Sequence, residues 1–157
     1  MINVNSPLPE VSFGVLVDGE VTNPHTNALF NDKKVVLFAV PGAFTPTCSA
    51  AHLPGYIALA DKLKAKGIDE IMCVSVNDAF VMDAWKQSAN AEAITMLADA
   101  NGTFTKQIGM DMDTGEFGGV RSLRYSMLVD DGIVKQLNLE DPGRFAVSDA
   151  ESMLNSL

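Results

Sequence analysis

Residues 35–40 are apolar without a break and rich in β-branched side chains, the pattern of a strand buried on both faces. The runs 71–76 and 94–97 repeat that signature. Between the first two, Leu53, Tyr56, Ile57, Ala60 and Leu63 recur every three or four residues, while Asp61, Lys62, Lys64 and Lys66 take the opposite face. This predicts an amphipathic helix ended by Gly67. Pro54 kinks or restarts it, because proline removes one backbone hydrogen bond and clashes with the turn before it. Asn77 or Asp78 caps a helix carrying Phe80, Val81, Ala84 and Trp85.

Nearer the N-terminus, Pro7 and Pro9 give an extended lead-in, and 11–17, the Asp18-Gly19 turn and Glu20-Val21 predict a small hairpin. A polar loop over 22–26 and a short turn at 28–30 lead to the central strand. Toward the C-terminus, Phe104 and Ile108 line a short helix stopped by Gly109, and the glycine-containing 110–119 forms a loop. Residues 122–129 and 133–139, joined by Asp130-Asp131-Gly132, make an antiparallel hairpin. Ser148 and Glu151 form a capping box for a last helix, 149–156. The order of elements predicts an α/β fold with a mixed central sheet, helices on both faces and an N-terminal hairpin. No repeat or composition shift divides residues 1–157, which are expected to form one domain.

Charge narrows the function classes. With 20 acidic against 11 basic residues, the formal charge of -9 opposes binding to phosphate backbones or anionic lipid, so nucleic acid and membrane partners are not expected. No apolar run approaches the ~20 residues of a membrane span, and no cationic segment leads into an apolar one at the N-terminus. Two cysteines without a framework role suit a reducing compartment, and the last three residues do not match a peroxisomal signal, so the expected location is cytoplasmic.

The stretch from Pro41 to Cys48 carries the candidate chemistry. It follows the central strand and precedes residues able to form the first turns of a helix. A sulfur at that junction faces unpaired backbone N–H groups and a partial positive charge, which favour the reactive thiolate. Thr45, three residues before Cys48, presents its hydroxyl on the same face if it lies in the opening turn. Pro41 and Pro46 restrict the backbone and remove two competing donors. A buried cysteine ordinarily acts as a small hydrophobe; the proline-, glycine- and threonine-rich approach and the helix-start position favour a reactive one.

These residues resemble a known family. V-P-G-A-F-T-P-T-C-S at 40–49, H-L-P-G-Y at 52–56, C-V-S-V-N-D-A-F-V-M at 73–82 and R-Y-S-M at 124–127 are similar to peroxiredoxins of the type-5 branch, also called type II. The likeness runs from about Pro9 to the last helix. It implies a thioredoxin-like fold and thiol-dependent reduction of hydrogen peroxide and alkyl hydroperoxides without a metal or organic cofactor. Cys48 matches the peroxidatic cysteine, Thr45 the hydroxyl that contacts it, Pro41 the residue shielding it from water, and Arg124 the guanidinium completing the pocket. The chemistry supports these types, since donors aimed at the departing oxygen of an O–O bond lower the barrier and arginine presents several in a fixed fork. Arg121 competes for that role. Arg124 is preferred because it heads the R-Y-S-M match, and Arg121 is expected to be a surface residue.

The sulfenic acid formed on Cys48 must be reduced before more peroxide takes it to the sulfinic form. Some relatives resolve it with a cysteine near the C-terminus, but here none follows residue 73. If 71–76 lies parallel to 35–40, Cys73 sits about 10 Å below the strand end at ~3.3 Å per residue. That exceeds the roughly 7 Å reach of a disulfide, so Cys73 is expected to be a buried structural residue. The resemblance implies an external reductant, glutaredoxin with glutathione or thioredoxin, and a homodimer.

Other readings weigh less. His52, four residues after Cys48, invites a Cys/His hydrolase, but no third residue and no oxyanion site are evident, so it is read as a structural or hydrogen-bonding residue. Asp111, Asp113 and Glu116 lack the EF-hand spacing and are expected to form a solvated acidic loop; His25 is expected to be unliganded. Met110 or Met112, if exposed, is open to oxidation during turnover. From a different class, a thioredoxin-fold sensor or interaction module would relay Cys48 oxidation to a partner without sustained turnover.

Overall fold

In the computed structural model, which describes residues 1–157, β1 (Val15–Val17) and β2 (Glu20–Thr22) form the N-terminal hairpin, followed by α1 (Thr26–Phe30) and β3 (Lys34–Ala39). A helical run begins at Pro46, passes through a π-helical turn at Cys48–His52 and continues as α2 (Leu53–Ala65). β4 (Glu70–Ser75), α3 (Ala79–Ala89), β5 (Ile94–Ala98) and α4 (Thr103–Gln107) follow. The last part holds β6 (Asp111–Asp113), a 3-10 turn at Gly115–Phe117, β7 (Val120–Ser122), β8 (Tyr125–Asp130), β9 (Ile133–Leu139) and α5 (Ala150–Ser156).

The five long strands form one sheet in the order β5-β4-β3-β8-β9, with β3 parallel to β4, β4 parallel to β5, and β8 antiparallel to both β3 and β9. Alternation along β3 sends Val36 and Phe38 to one face and Val35, Leu37 and Ala39 to the other. The first face is covered by α2, α3 and α5 through Leu53, Tyr56, Leu63, Met82, Trp85 and Met153. Phe30 of α1, Phe104 of α4 and Phe13 of the N-terminal segment cover the second. Both faces are therefore dry, as the uninterrupted apolar runs predict.

Three local expectations fail for physical reasons. Residues 110–119 are not simply a loop, since β6 and β7 pair antiparallel and Met110 is fully buried beneath them. The strand expected over 122–129 is broken at Leu123 and Arg124: β7 pairs with β6, whereas β8 belongs to the main sheet. Ser148 does not cap the last helix. Asp149 does, accepting from the Ser152 amide at 3.1 Å, because the Ser148 hydroxyl is taken by Glu140 at 2.8 Å.

Candidate active site

The central strand ends against a constrained turn. Gly42 is buried, and a Cβ there would sit 3.1 Å from the Thr45 methyl, a tight contact that would press on the threonine side chain. Phe44 holds a left-handed φ of 63° and turns its ring outward, 54% exposed. Ala43 N–H donates to Asn77 Oδ1 at 3.0 Å, tying the turn to the loop after β4. Thr45 then precedes the helix, Pro46 takes its first position, where no N–H is required, and Cys48 follows in the first turn. The first turns run as a π-helix, with Leu53 N–H donating to the Cys48 carbonyl, before the regular helix starts at Leu53 with Pro54 in its opening positions.

Cys48 Sγ is closed off from solvent, yet polar donors clasp it. Arg124 Nη2 donates to it at 3.0 Å, and Thr45 Oγ1 lies 2.9 Å away. The Thr45 oxygen also stands 2.7 Å from the Gly42 carbonyl. A hydroxyl has one proton, so it donates to only one of these two acceptors at a time. Arg124 reaches this position from the break between β7 and β8, and its guanidinium carbon stands 5.7 Å from the Phe145 ring centroid. A pocket of about 210 Å³ opens beside the clasp, lined by Pro41, Thr47, Met112, Arg124 and Phe145 among others. One residue further into the helix, Ser49 accepts from the Trp85 indole N–H at 3.0 Å.

His52 is the second anchor of the guanidinium. Arg124 Nη1 donates to His52 Nδ1 at 2.7 Å, and because arginine has no acceptor, Nδ1 carries a lone pair. The proton is therefore on Nε2, which donates to the Ser148 carbonyl at 3.0 Å. Burial, reinforced by the Arg124 charge, lowers the His52 pKa to about 3, so the ring is neutral at physiological pH. The unfolded chain takes up a proton at this residue near pH 6.5, while the folded protein refuses it down to about 3. Its contribution is complete above pH ~6.5 and is lost as the pH falls toward ~3, on the order of a few kcal/mol. Thermal unfolding followed across that range is expected to show falling stability on acidification, and His52→Leu is expected to flatten the fall. An equal slope in the variant would assign it to other groups.

The structure places the remaining candidates as follows. Arg121 is not the surface residue expected: it is half-buried, Nε donating to the Gly118 carbonyl and Nη1 to the Val76 carbonyl, each at 2.9 Å. It braces the loops around the site and leaves the sulfur to Arg124. Cys73 is a free, fully buried thiol on β4, in register with Phe38 of the parallel β3. Burial, with the proximity of Cys48, pushes its thiol well above the ordinary range. Met112 is half-buried at the pocket, and His25 lies at the surface 3.9 Å from Glu10. Sequence reasoning gave His52 no partner; the spacing of four from Cys48 was its one visible signal.

A sulfur clasped by a guanidinium and a hydroxyl, at the helix start that follows the central strand of a mixed sheet, defines a thiol-dependent redox enzyme. The Redoxin family profile matches residues 3–154. Over 162 residues the chain is 47% identical to peroxiredoxin-2E, chloroplastic, of Arabidopsis thaliana, covering 99% of this chain and 69% of that protein. It is 46% identical over 160 residues to peroxiredoxin-2C of Oryza sativa subsp. japonica, covering 99% and 98%. The crystal structure of reduced Prx3 in complex with hydrogen peroxide from Vibrio vulnificus superposes with a TM-score of 0.98 at 56% identity, covering 99% of both chains. The chain belongs to the peroxiredoxins, in the type II-like branch. It has their thioredoxin-like fold and is a thiol-dependent peroxidase of a family that needs no prosthetic group.

Proposed function

We propose that Cys48 is the peroxidatic cysteine, with Arg124 and Thr45 as its donors and Pro41 as the residue shielding it from water. The observation that carries this is the sulfur lying 3.0 Å from Arg124 Nη2 and 2.9 Å from Thr45 Oγ1. The thiolate attacks the terminal oxygen of a hydroperoxide, an S–O bond forms as the O–O bond breaks, and the departing alkoxide or hydroxide takes up a proton. Negative charge moves from sulfur to the leaving oxygen, so a guanidinium already bonded to the sulfur stabilises both ends of the step. The products are the Cys48 sulfenic acid and an alcohol or water.

An external thiol regenerates the enzyme. It displaces water from the sulfenic acid to give a mixed disulfide, which a second thiol opens. Glutaredoxin with glutathione, or thioredoxin, supplies these thiols. The alternative resolver, Cys73, is sealed in the sheet. Cys73→Ser is accordingly expected to keep most of its turnover with glutaredoxin; loss of turnover would make Cys73 the resolving thiol. The cytoplasm, a reducing compartment, suits the two free cysteines.

A homodimer is proposed through the face around the active-site loop. Phe44, Phe80 and Phe117 are 54%, 61% and 78% exposed. The turn carrying Phe44 is bonded to the loop after β4 through Ala43 and Asn77, and Arg121 ties that same loop to Gly118, next to Phe117. Peroxide consumption measured in parallel with glutathione plus glutaredoxin and with thioredoxin tests the assignment. Sustained turnover with either is expected, whereas a single reaction followed by a stall with both would leave a redox sensor.

A further inference from the structure

The groups that hold Arg124 can be followed one step beyond His52. The Ser148 carbonyl that accepts from His52 Nε2 also accepts from the Tyr56 hydroxyl at 2.8 Å, and it lies in the segment between β9 and α5. Within the segment itself one backbone bond forms, from Arg144 N–H to the Asp141 carbonyl at 3.0 Å, and it does not reach Ser148. Glu140 does. Its Oε2 accepts from the backbone N–H groups of Ala146, Val147 and Ser148 and from the Ser148 hydroxyl, each at 2.8 Å, and Oε1 accepts from Ala146 N–H at 2.9 Å. Burial opposes ionisation of this carboxyl, but the hydrogen bonds from Ser148, Val147 and Ala146 prevail and hold it below the usual carboxylate range.

Two further contacts converge on the same loop. Phe145, next to the gathered N–H groups, packs on His52 with ring centroids 4.9 Å apart and lies 5.7 Å from the Arg124 guanidinium. Glu140 is itself pinned beside the active arginine, its own N–H donating to the Arg124 carbonyl at 3.1 Å. One buried carboxylate thus sits beside the backbone of Arg124 and organises the loop that touches both Arg124 and His52.

We infer that Glu140 is a positioning residue of the peroxidatic site: by gathering the 146–148 backbone it aims the Ser148 carbonyl at His52, which sets the tautomer that receives Arg124 and holds the guanidinium on Cys48. Every hydrogen bond of its carboxylate goes to residues 146–148 and none to the sulfur. Its effect passes through the Ser148 carbonyl and the imidazole. The inference rests on the roles proposed above for Cys48 and Arg124, which are tested separately by replacing those residues.

The test compares Glu140→Gln, His52→Leu and the double variant by stopped-flow oxidation with hydrogen peroxide, with the thiolate titrated by its ultraviolet absorbance and folding checked by circular dichroism. Glutamine leaves one acceptor oxygen but turns an amide donor toward N–H groups that need an acceptor. The peroxide rate constant near neutrality is expected to fall about tenfold in Glu140→Gln, the scale of one weakened charge-assisted hydrogen bond, with the thiolate midpoint moving upward. In the His52→Leu background the same substitution is expected to add little, because the link it acts through is already cut. An unchanged rate and midpoint in folded Glu140→Gln overturns the inference, as does an equal loss in both backgrounds, which a merely loop-stabilising role produces. If Glu140→Gln does not fold, Ser148→Ala, which removes only the hydroxyl bond, is read by the same criteria with a loss of about threefold expected. Failure of the underlying assignment looks different, since Arg124→Ala would then leave the rate unchanged.

Discussion

Cys48→Ser is expected to reduce peroxide consumption to the uncatalysed background. Serine keeps the shape of the site and accepts the same bonds from Arg124 and Thr45, so the variant is expected to fold. The nucleophile is what changes. A thiol can present a substantial thiolate fraction near neutrality, whereas an alcohol stays protonated without an adjacent general base. The nearest candidate base, His52, already has its Nδ1 lone pair occupied by Arg124. Peroxide disappearance measured with reductant in excess checks this, and appreciable residual turnover would move the chemistry away from Cys48.

Arg124→Ala has the second largest expected effect. It removes the donor 3.0 Å from the sulfur and leaves a buried imidazole without the partner that received its lone pair. Loss of a preorganised donor to developing charge costs on the order of 10²- to 10³-fold in rate. The pH midpoint of the peroxide reaction is expected to move upward at the same time, because the thiolate loses its nearest positive charge. Arg124→Lys is expected to recover only part of the rate: one ammonium cannot reach Sγ and His52 Nδ1 with the two ends of a planar fork. A rate and pH profile unchanged from the parent would take Arg124 out of the mechanism.

Much of this was legible in the chain because it is local. The strand before the site, the helix restarted at Pro54 and the spacing of three between Thr45 and Cys48 all follow from periodicity and backbone restriction within a few residues. The failures lie where long-range partners outbid local signals. Ser148 has the spacing of a capping box, but its hydroxyl is drawn to a carboxylate eight residues earlier. The apolar pattern of 122–129 gives no sign that two sheets share it and that Arg124 falls in the gap. Arg121 looked like a surface residue because nothing nearby in sequence announces the Val76 carbonyl it braces.

By itself, then, the order of residues settled which sulfur stands at a helix start and which hydroxyl accompanies it, since both lie on one turn and need no distant partner. Only the folded chain decided the remainder. His52, Arg124, Glu140 and Ser148 are separated by as many as 96 positions, yet they meet within hydrogen-bonding distance of one another in the link from His52 to Ser148 and its neighbours. Such contacts depend on strand order and on where a loop comes to rest, quantities that hydrophobic periodicity does not encode.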